Sequence, residues 1–147
     1  MKKFLFFAVI AAMVFTACRT IETPIAPANP IEEAFLAAIQ RHRGDLVMTG
    51  ATRYTVASGD TLVNIARTFY DDGFFYPVIM LASSNVVLDP DRIEPGMVLT
   101  VPDLQRNLNN ARARASLRSF MLEIAEVEDS RARGGTANGI RDRANAL

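Results

Sequence analysis

Few residues in this chain of 147 could carry covalent or metal chemistry. His42 is the only histidine and Cys18 the only cysteine. His42 has no second His or Cys at metal-ligand spacing and stands at the end of a helical pattern. It reads as a solvated or C-capping side chain, not as a metal ligand or general base. Cys18 has no partner for an intramolecular disulfide. Asp71 and Asp72 are paired carboxylates, but neighbours in one loop cannot face each other across a scissile bond as a glycosidase requires. No residues remain for catalysis, for a cofactor or for a metal site, so the chain reads as a binding or interaction protein and not as an enzyme.

The stretch from Tyr54 to Pro102 supplies the elements that must position a binding site. Tyr54 and Val56 alternate with polar neighbours and stop at Gly59, and Val98 to Val101 is a short β-prone run between Pro95-Gly96 and Pro102; both read as strands. Between them, Leu62, Ile65, Ala66 and Phe69 fall at i, i+3, i+4 and i+7, which predicts a helix ending at Asp71-Asp72-Gly73. Pro77 suits the first position of a second helix with an apolar stripe of Val78, Ile79, Leu81 and Ala82, and Asn85 suits its left-handed terminator. The class is α+β: a βααβ unit with a two-stranded antiparallel sheet and both helices on one face.

That order and those residues resemble the LysM domain, a carbohydrate-binding module of bacterial envelope proteins. The resemblance spans residues 54–102: Tyr-x-Val-x-x-Gly-Asp-Thr-Leu-x-x-Ile-Ala-x-x-Phe from Tyr54 to Phe69, then Tyr76, Ile79 and Asn85, then Ile93, Pro95-Gly96, Leu99, Val101 and Pro102. The stretch Asp71 to Tyr76 is longer and more aromatic than in the shortest members. The resemblance implies binding of peptidoglycan or other N-acetylglucosamine-containing glycans in a groove between the loop after the first strand and the loop after the second helix. On this sequence one wall is Ser58, Gly59, Asp60, Thr61 and Leu62; the other is Asn85, Val86, Val87, Leu88, Asp89, Pro90 and Ile93. Gly59 would let ligand approach the backbone, Thr61 and Asp89 would meet sugar hydroxyls, and Leu62 with Ile93 would cover an acetyl methyl. By residue chemistry alone, Asp60 reads as a helix N-cap before it reads as a ligand, and Leu62 and Ile93 suit core as well as groove.

The flanks suggest where such a module would work. Met1-Lys2-Lys3 and the apolar run Phe4 to Phe15 read as an export signal over residues 1–17, too short to cross about 30 Å of hydrocarbon as a helix. Val14-Phe15-Thr16-Ala17-Cys18 resembles a lipobox of the relaxed, spirochaete-like kind, with Phe15 where Leu is commonest. It implies lipidation of Cys18 and a membrane-anchored lipoprotein of the cell envelope facing the periplasm. Residues 18–30, with Pro24, Pro27 and Pro30, read as a Pro-rich tether. Cleavage before Cys18 would remove Lys2 and Lys3, taking the 16 basic residues to 14 against 16 acidic, a net charge of −2. That is no nucleic-acid binder's balance. Residues 31–44 read as a helix with Glu32 and Glu33 in its first turn and Arg41 to Arg43 in its last, and Leu46 to Thr49 as a short extra strand. Residues 104–133 read as one long amphipathic helix with Asp103 as its cap. Its apolar stripe is Leu104, Leu108, Ala111 and Ala115, continued out of phase by Leu117, Phe120, Ile124 and Val127, while Glu123, Glu126 and Glu128 lie on a solvated face. It would pack on 31–44 or bind a protein partner, which makes an envelope assembly or adaptor protein the alternative function. Residues 134–147 read as a disordered tail, with apolar residues too sparse to offset the entropy of ordering.

Overall fold

The computed structural model describes residues 26–147; the expected signal segment, Cys18 and most of the expected tether lie outside the described residues. Along the chain run α1 (Pro30–His42), β1 (Thr52–Thr55), α2 (Leu62–Tyr70), α3 (Tyr76–Ala82), β2 (Val98–Val101), α4 (Leu104–Asn109), α5 (Ala111–Ser130) and α6 (Gly134–Asn145), with 3-10 turns at Arg43–Asp45 and Gly73–Phe75. β1 and β2 pair antiparallel, Thr52 opposite Val101 and Tyr54 opposite Leu99. The ladder runs on as the Val56 and Gly96 N–H groups donate to Met97 O and Val56 O, each at 2.9 Å. Two strands alone are marginal. Here Val56, Leu99 and Val101 enter one core with Leu62, Ile65 and Ala66 of α2 and Tyr76 to Leu81 of α3. Ser83 occupies Thr100 on β2, its Oγ accepting from Thr100 N–H at 2.9 Å and donating to Thr100 O at 3.2 Å.

Local chemistry sets the helix ends, in places differently from the sequence expectation. Thr61, not Asp60, caps α2, its Oγ1 accepting from Asn64 N–H at 3.1 Å. Asp71 closes α2 in the left-handed region at φ 59°. Asn85 does not play that part for α3, which ends at Ser83 with φ −103°. The long Asp71–Tyr76 stretch is absorbed by the Gly73–Phe75 turn, capped by Asp72 Oδ1 accepting from Phe74 N–H at 2.9 Å. Phe69, expected in the core, is 39% exposed and meets the Tyr54 ring edge-on at 5.7 Å. Residues Leu46 to Thr49 form no strand, because the Asn107 side chain takes both backbone groups of Val47, at 2.8 and 3.0 Å.

Outside the βααβ unit, α1 is entered through Asn29, whose Oδ1 accepts from Glu32 N–H at 3.0 Å. Its Phe35, Ala38 and Ile39 share the core with Leu117, Phe120 and Ile124 of α5. His42 is neither solvated nor a cap: its ring nitrogens lie 3.0 Å from Ser116 Oγ and 3.1 Å from Glu123 Oε1, so it ties α1 to α5.

Three expectations for the C-terminal third are corrected. The long helix is broken at Asn110, which is extended (ψ 114°) and whose Oδ1 accepts from Ala113 N–H at 3.0 Å to start α5. The break explains the phase shift in the pattern: Ala111 and Ala115 are exposed, and Ala113, Leu117, Phe120, Met121 and Ile124 are buried. Glu128, assigned to a solvated face, is fully buried. Residues 134–147 are largely helical, and Ala137, Ile140 and Ala144, at i, i+3 and i+7 of α6, are completely buried. Small side chains bury little area each, but they let backbones approach closely. At Gly139 an added Cβ would lie 2.5 Å from Cδ1 and Cζ of Phe74. Arg143 lies 5.0 Å over that same ring and its Nε donates to Asp72 at 2.7 Å, so α6 is docked on the loop between α2 and α3.

Candidate functional site

The first expected wall begins where β1 turns into α2. Asp60 Oδ2 accepts from Ala57 N–H at 2.8 Å and from Tyr54 OH at 2.7 Å, closing the turn. The Tyr54 and Ala57 bonds hold the Asp60 carboxyl below its ordinary range. Gly59 sits at φ +88°, and a Cβ there would meet nothing within 4 Å. The glycine is required by backbone conformation, and its surroundings are open. Ser58 and Thr61 are exposed, and Leu62 is buried.

The second wall is held from behind. Val87 and Leu88 are core residues, Asn85 is exposed, and Val86 and Ile93 are half-buried. Asp89, expected to meet sugar hydroxyls, is only 8% exposed. Its Oδ1 accepts from Asp91 N–H at 3.0 Å and from Arg131 Nη1 at 3.1 Å. Asp89 is thus a structural ion-pair partner: low dielectric makes an unpaired carboxylate there costly, and Arg131 supplies the pairing. Arg131 also bonds Asp91 and lies 5.6 Å over the Phe35 ring. Glu32 of α1 holds the same loop through Arg92 at 2.7 Å.

Five of the twelve expected groove residues, Asp60, Thr61, Leu62, Pro90 and Ile93, line one cleft of about 210 Å³. Ser58, Gly59, Asn85, Val86, Val87, Leu88 and Asp89 are not among its lining residues. The cleft has further members that the sequence reading missed: Val63 and Tyr76 from the βααβ unit, Asp91 beside the second wall, and Glu128, Arg133 and Thr136 from the junction of α5 and α6. A signal for Glu128 existed. It falls at i+11 from Leu117, in line with Met121 and Ile124 on the buried stripe.

Charge on this third wall is organised around Glu128. Tyr76 OH donates to its Oε1 at 3.1 Å, and Arg131 Nη1 lies 3.5 Å from the same oxygen. Burial pushes the Glu128 carboxyl above its ordinary range, against the pull of Arg131 and Arg133. Arg133 grips Asp91 with both terminal nitrogens, at 2.9 and 2.5 Å, and this bond holds Asp91 low. Burial and the Glu128 charge raise the Tyr76 phenol. Among the described residues no group of three or more His, Cys, Asp or Glu is arranged to hold a metal ion, and no helix is long and apolar enough to cross a membrane. A second cleft of about 390 Å³, beside Gly50, Phe69, Tyr70 and Gln105, contains none of the expected site residues.

Comparison with known proteins bears on the same stretch. Residues 54–102 match the LysM domain family. The chain is similar to Esterase Rv1288 of Mycobacterium tuberculosis, 46% identical over 56 residues, which are 38% of this chain and 12% of that protein. It is similar to potassium binding protein Kbp of Escherichia coli, 40% identical over 55 residues, 37% of each chain. An uncharacterized protein of Deinococcus radiodurans is 44% identical over 54 residues, 37% of this chain and 21% of that one. The matched stretch therefore spans between 12% and 37% of the length of these relatives. No solved structure gives a significant match. With the βααβ order, the antiparallel pairing of β1 with β2 and the family match all falling on one stretch, residues 54–102 of this chain are a LysM domain, a non-catalytic type of module that binds peptidoglycan and related glycans.

Proposed function

We propose that this protein is a lipid-anchored component of the bacterial cell envelope, facing the periplasm, that holds peptidoglycan non-covalently through its single LysM domain. The observation that carries this reading is the convergence of the 60–62 and 90–93 segments on one cleft. At about 210 Å³ the cleft is smaller than the roughly 300 Å³ at which pockets for drug-sized ligands begin. It suits one sugar substituent, with the rest of the glycan strand lying outside. An acetamido group matches its chemistry: the half-buried Val63 and Ile93 offer apolar surface to the methyl, and the exposed Thr61 hydroxyl keeps its proton free to donate because its oxygen serves as helix cap. Support for the anchor is the sequence around Cys18. The test is co-sedimentation of the full-length protein with purified, protein-free sacculi, with N-acetylglucosamine oligomers as competitor. Saturable pelleting that the oligomers reverse supports the reading. Protein that stays in the supernatant would shift attention to the adaptor function.

A further inference from the structure

The LysM unit ends at Pro102, yet three of the residues lining its cleft come from beyond it, at the α5–α6 junction. Glu128 is the most informative of them. It has no solvent-exposed surface, and while Oε1 receives the Tyr76 hydroxyl, Oε2 has no hydrogen-bond partner among the described residues. Arg133 Nη1 is 3.7 Å from Oε2, beyond hydrogen-bond distance, and that guanidinium is already committed to Asp91. Buried carboxylate oxygens are rarely left in this condition, because each missing bond forfeits the solvation the group gave up. The local balance also leaves Glu128 short of cations: among the described residues Asp89, Asp91 and Glu128 pair only with Arg131 and Arg133.

We propose that the C-terminal helical pair completes the LysM cleft as a third wall, in which the side chains around Glu128 part as the sugar enters so that its buried Oε2 accepts a hydrogen bond from the acetamido N–H, while Thr136 bounds the space beside it. This rests on the glycan-binding reading and adds residues to it that the LysM unit itself does not contain. An ionised carboxylate is an acceptor only, so it selects a donor; the neighbouring cleft residues Leu62, Val63, Pro90 and Ile93 are apolar and select a methyl. A secondary N-acetyl amide presents both, side by side. Asp89, Asp91 and their arginines then have a second consequence: they lock the second wall to the third, so the two cannot separate without breaking the largely buried Asp89–Arg131 pair and the more exposed pairs of Asp91.

Two variants of the full-length protein test this by titration with N-acetylglucosamine tetramer and with soluble peptidoglycan fragments, thermal melts being recorded in parallel. Glu128→Gln preserves shape and a bond to Tyr76 but weakens the acceptor; the affinity should fall about three- to ten-fold, the difference between a hydrogen bond to a charged acceptor and one to a neutral acceptor. Thr136→Phe, on the rim, fills the cleft from the third wall without touching the LysM core and should reduce binding more than ten-fold. Wild-type affinity in both variants would overturn the third wall and leave LysM binding intact, and loss in Thr136→Phe alone would overturn the role of Glu128. If Glu128→Gln melts early, Thr136→Phe and its melt still decide the wall. A wild-type protein that binds neither probe would overturn the glycan reading and this inference together.

Discussion

Replacing Gly139 by valine tests whether the C-terminal segment is a docked helix, and the two possibilities predict opposite signs. If residues 134–147 were a free tail, or a helix with no neighbour, valine would gain a few tenths of a kcal/mol over glycine in helix propensity. In the docked arrangement the first added carbon already stands 2.5 Å from two carbons of the Phe74 ring, and valine adds two methyls. Phe74 has little room to retreat, with Arg143 over its ring and Asp72 fixing Arg143. Overpacking of this kind costs about 1–3 kcal/mol, and the crowding here puts it at the upper end, so the net loss is about 2–3 kcal/mol. For a domain of this size each kcal/mol moves the melting temperature by about 3–5 °C, which gives a fall of roughly 6–15 °C.

The assay is thermal melting followed by circular dichroism, with limited trypsin digestion to report on the tail through Arg141 and Arg143. Gly135→Ala is the control, since a Cβ there meets nothing within 4 Å. It should melt at or slightly above the wild-type temperature. Gly139→Val should melt lower, release the tail to trypsin sooner, or both. A Gly139→Val protein with wild-type melting and wild-type resistance to trypsin would refute the docking of α6 on Phe74.

Asp89→Ala should cost about 2 kcal/mol of stability by removing one of the three carboxylate partners of the partly buried Arg131, and a melt unchanged within 2 °C would contradict its structural role. Stability should respond to acid in two stages. Glu128 has a folded pKa raised by burial, so its ionised form opposes folding near neutrality and is relieved as pH falls through that value. Asp60 and Asp91, held low by Tyr54 and Arg133, keep their contribution above the ordinary aspartate value and lose it below. Melting temperature should stay level or rise slightly from pH 7 to about 5 and drop below about pH 4; Glu128→Gln should abolish the rise, and a steady decline from pH 7 would contradict the assignment. Cys18→Ser should leave membrane fractions or remain unprocessed, because only the multiply acylated cysteine implied by the lipobox would anchor stably; fractionation and migration like wild type would rule the anchor out.

The βααβ unit was legible because its signals are local and agree with one another: alternation that stops at a glycine, one apolar helical face, a proline at the start of α3 and Pro95-Gly96 before β2. What escaped notice depends on contacts distant in sequence. Asn107 occupies the backbone of Val47 across 60 positions, which removes the strand expected there. Asp89 looks like an available loop carboxylate until Arg131 is brought to it. The stripe of Ala137, Ile140 and Ala144 has the right period but little bulk, and reading bulk alone hides a helix that works by close approach. Asn110 illustrates the reverse case, for a phase shift visible in the pattern had a local cause, the capping side chain that restarts the helix. Half of the cleft was legible for the same reason as the fold, and its third wall was not, since Glu128, Arg133 and Thr136 reach it only through the packing of α5 and α6.

The most direct test of the central claim is a titration of the isotope-labelled full-length protein with N-acetylglucosamine tetramer, following each backbone amide by NMR. Saturable shifts centred on Thr61, Leu62, Asp91 and Ile93 are expected, with the amides beside the second cleft at Gly50 and Tyr70 unmoved. Absence of saturable shifts, or shifts confined to Gly50, Tyr70 and their neighbours, would contradict the assignment of the glycan site.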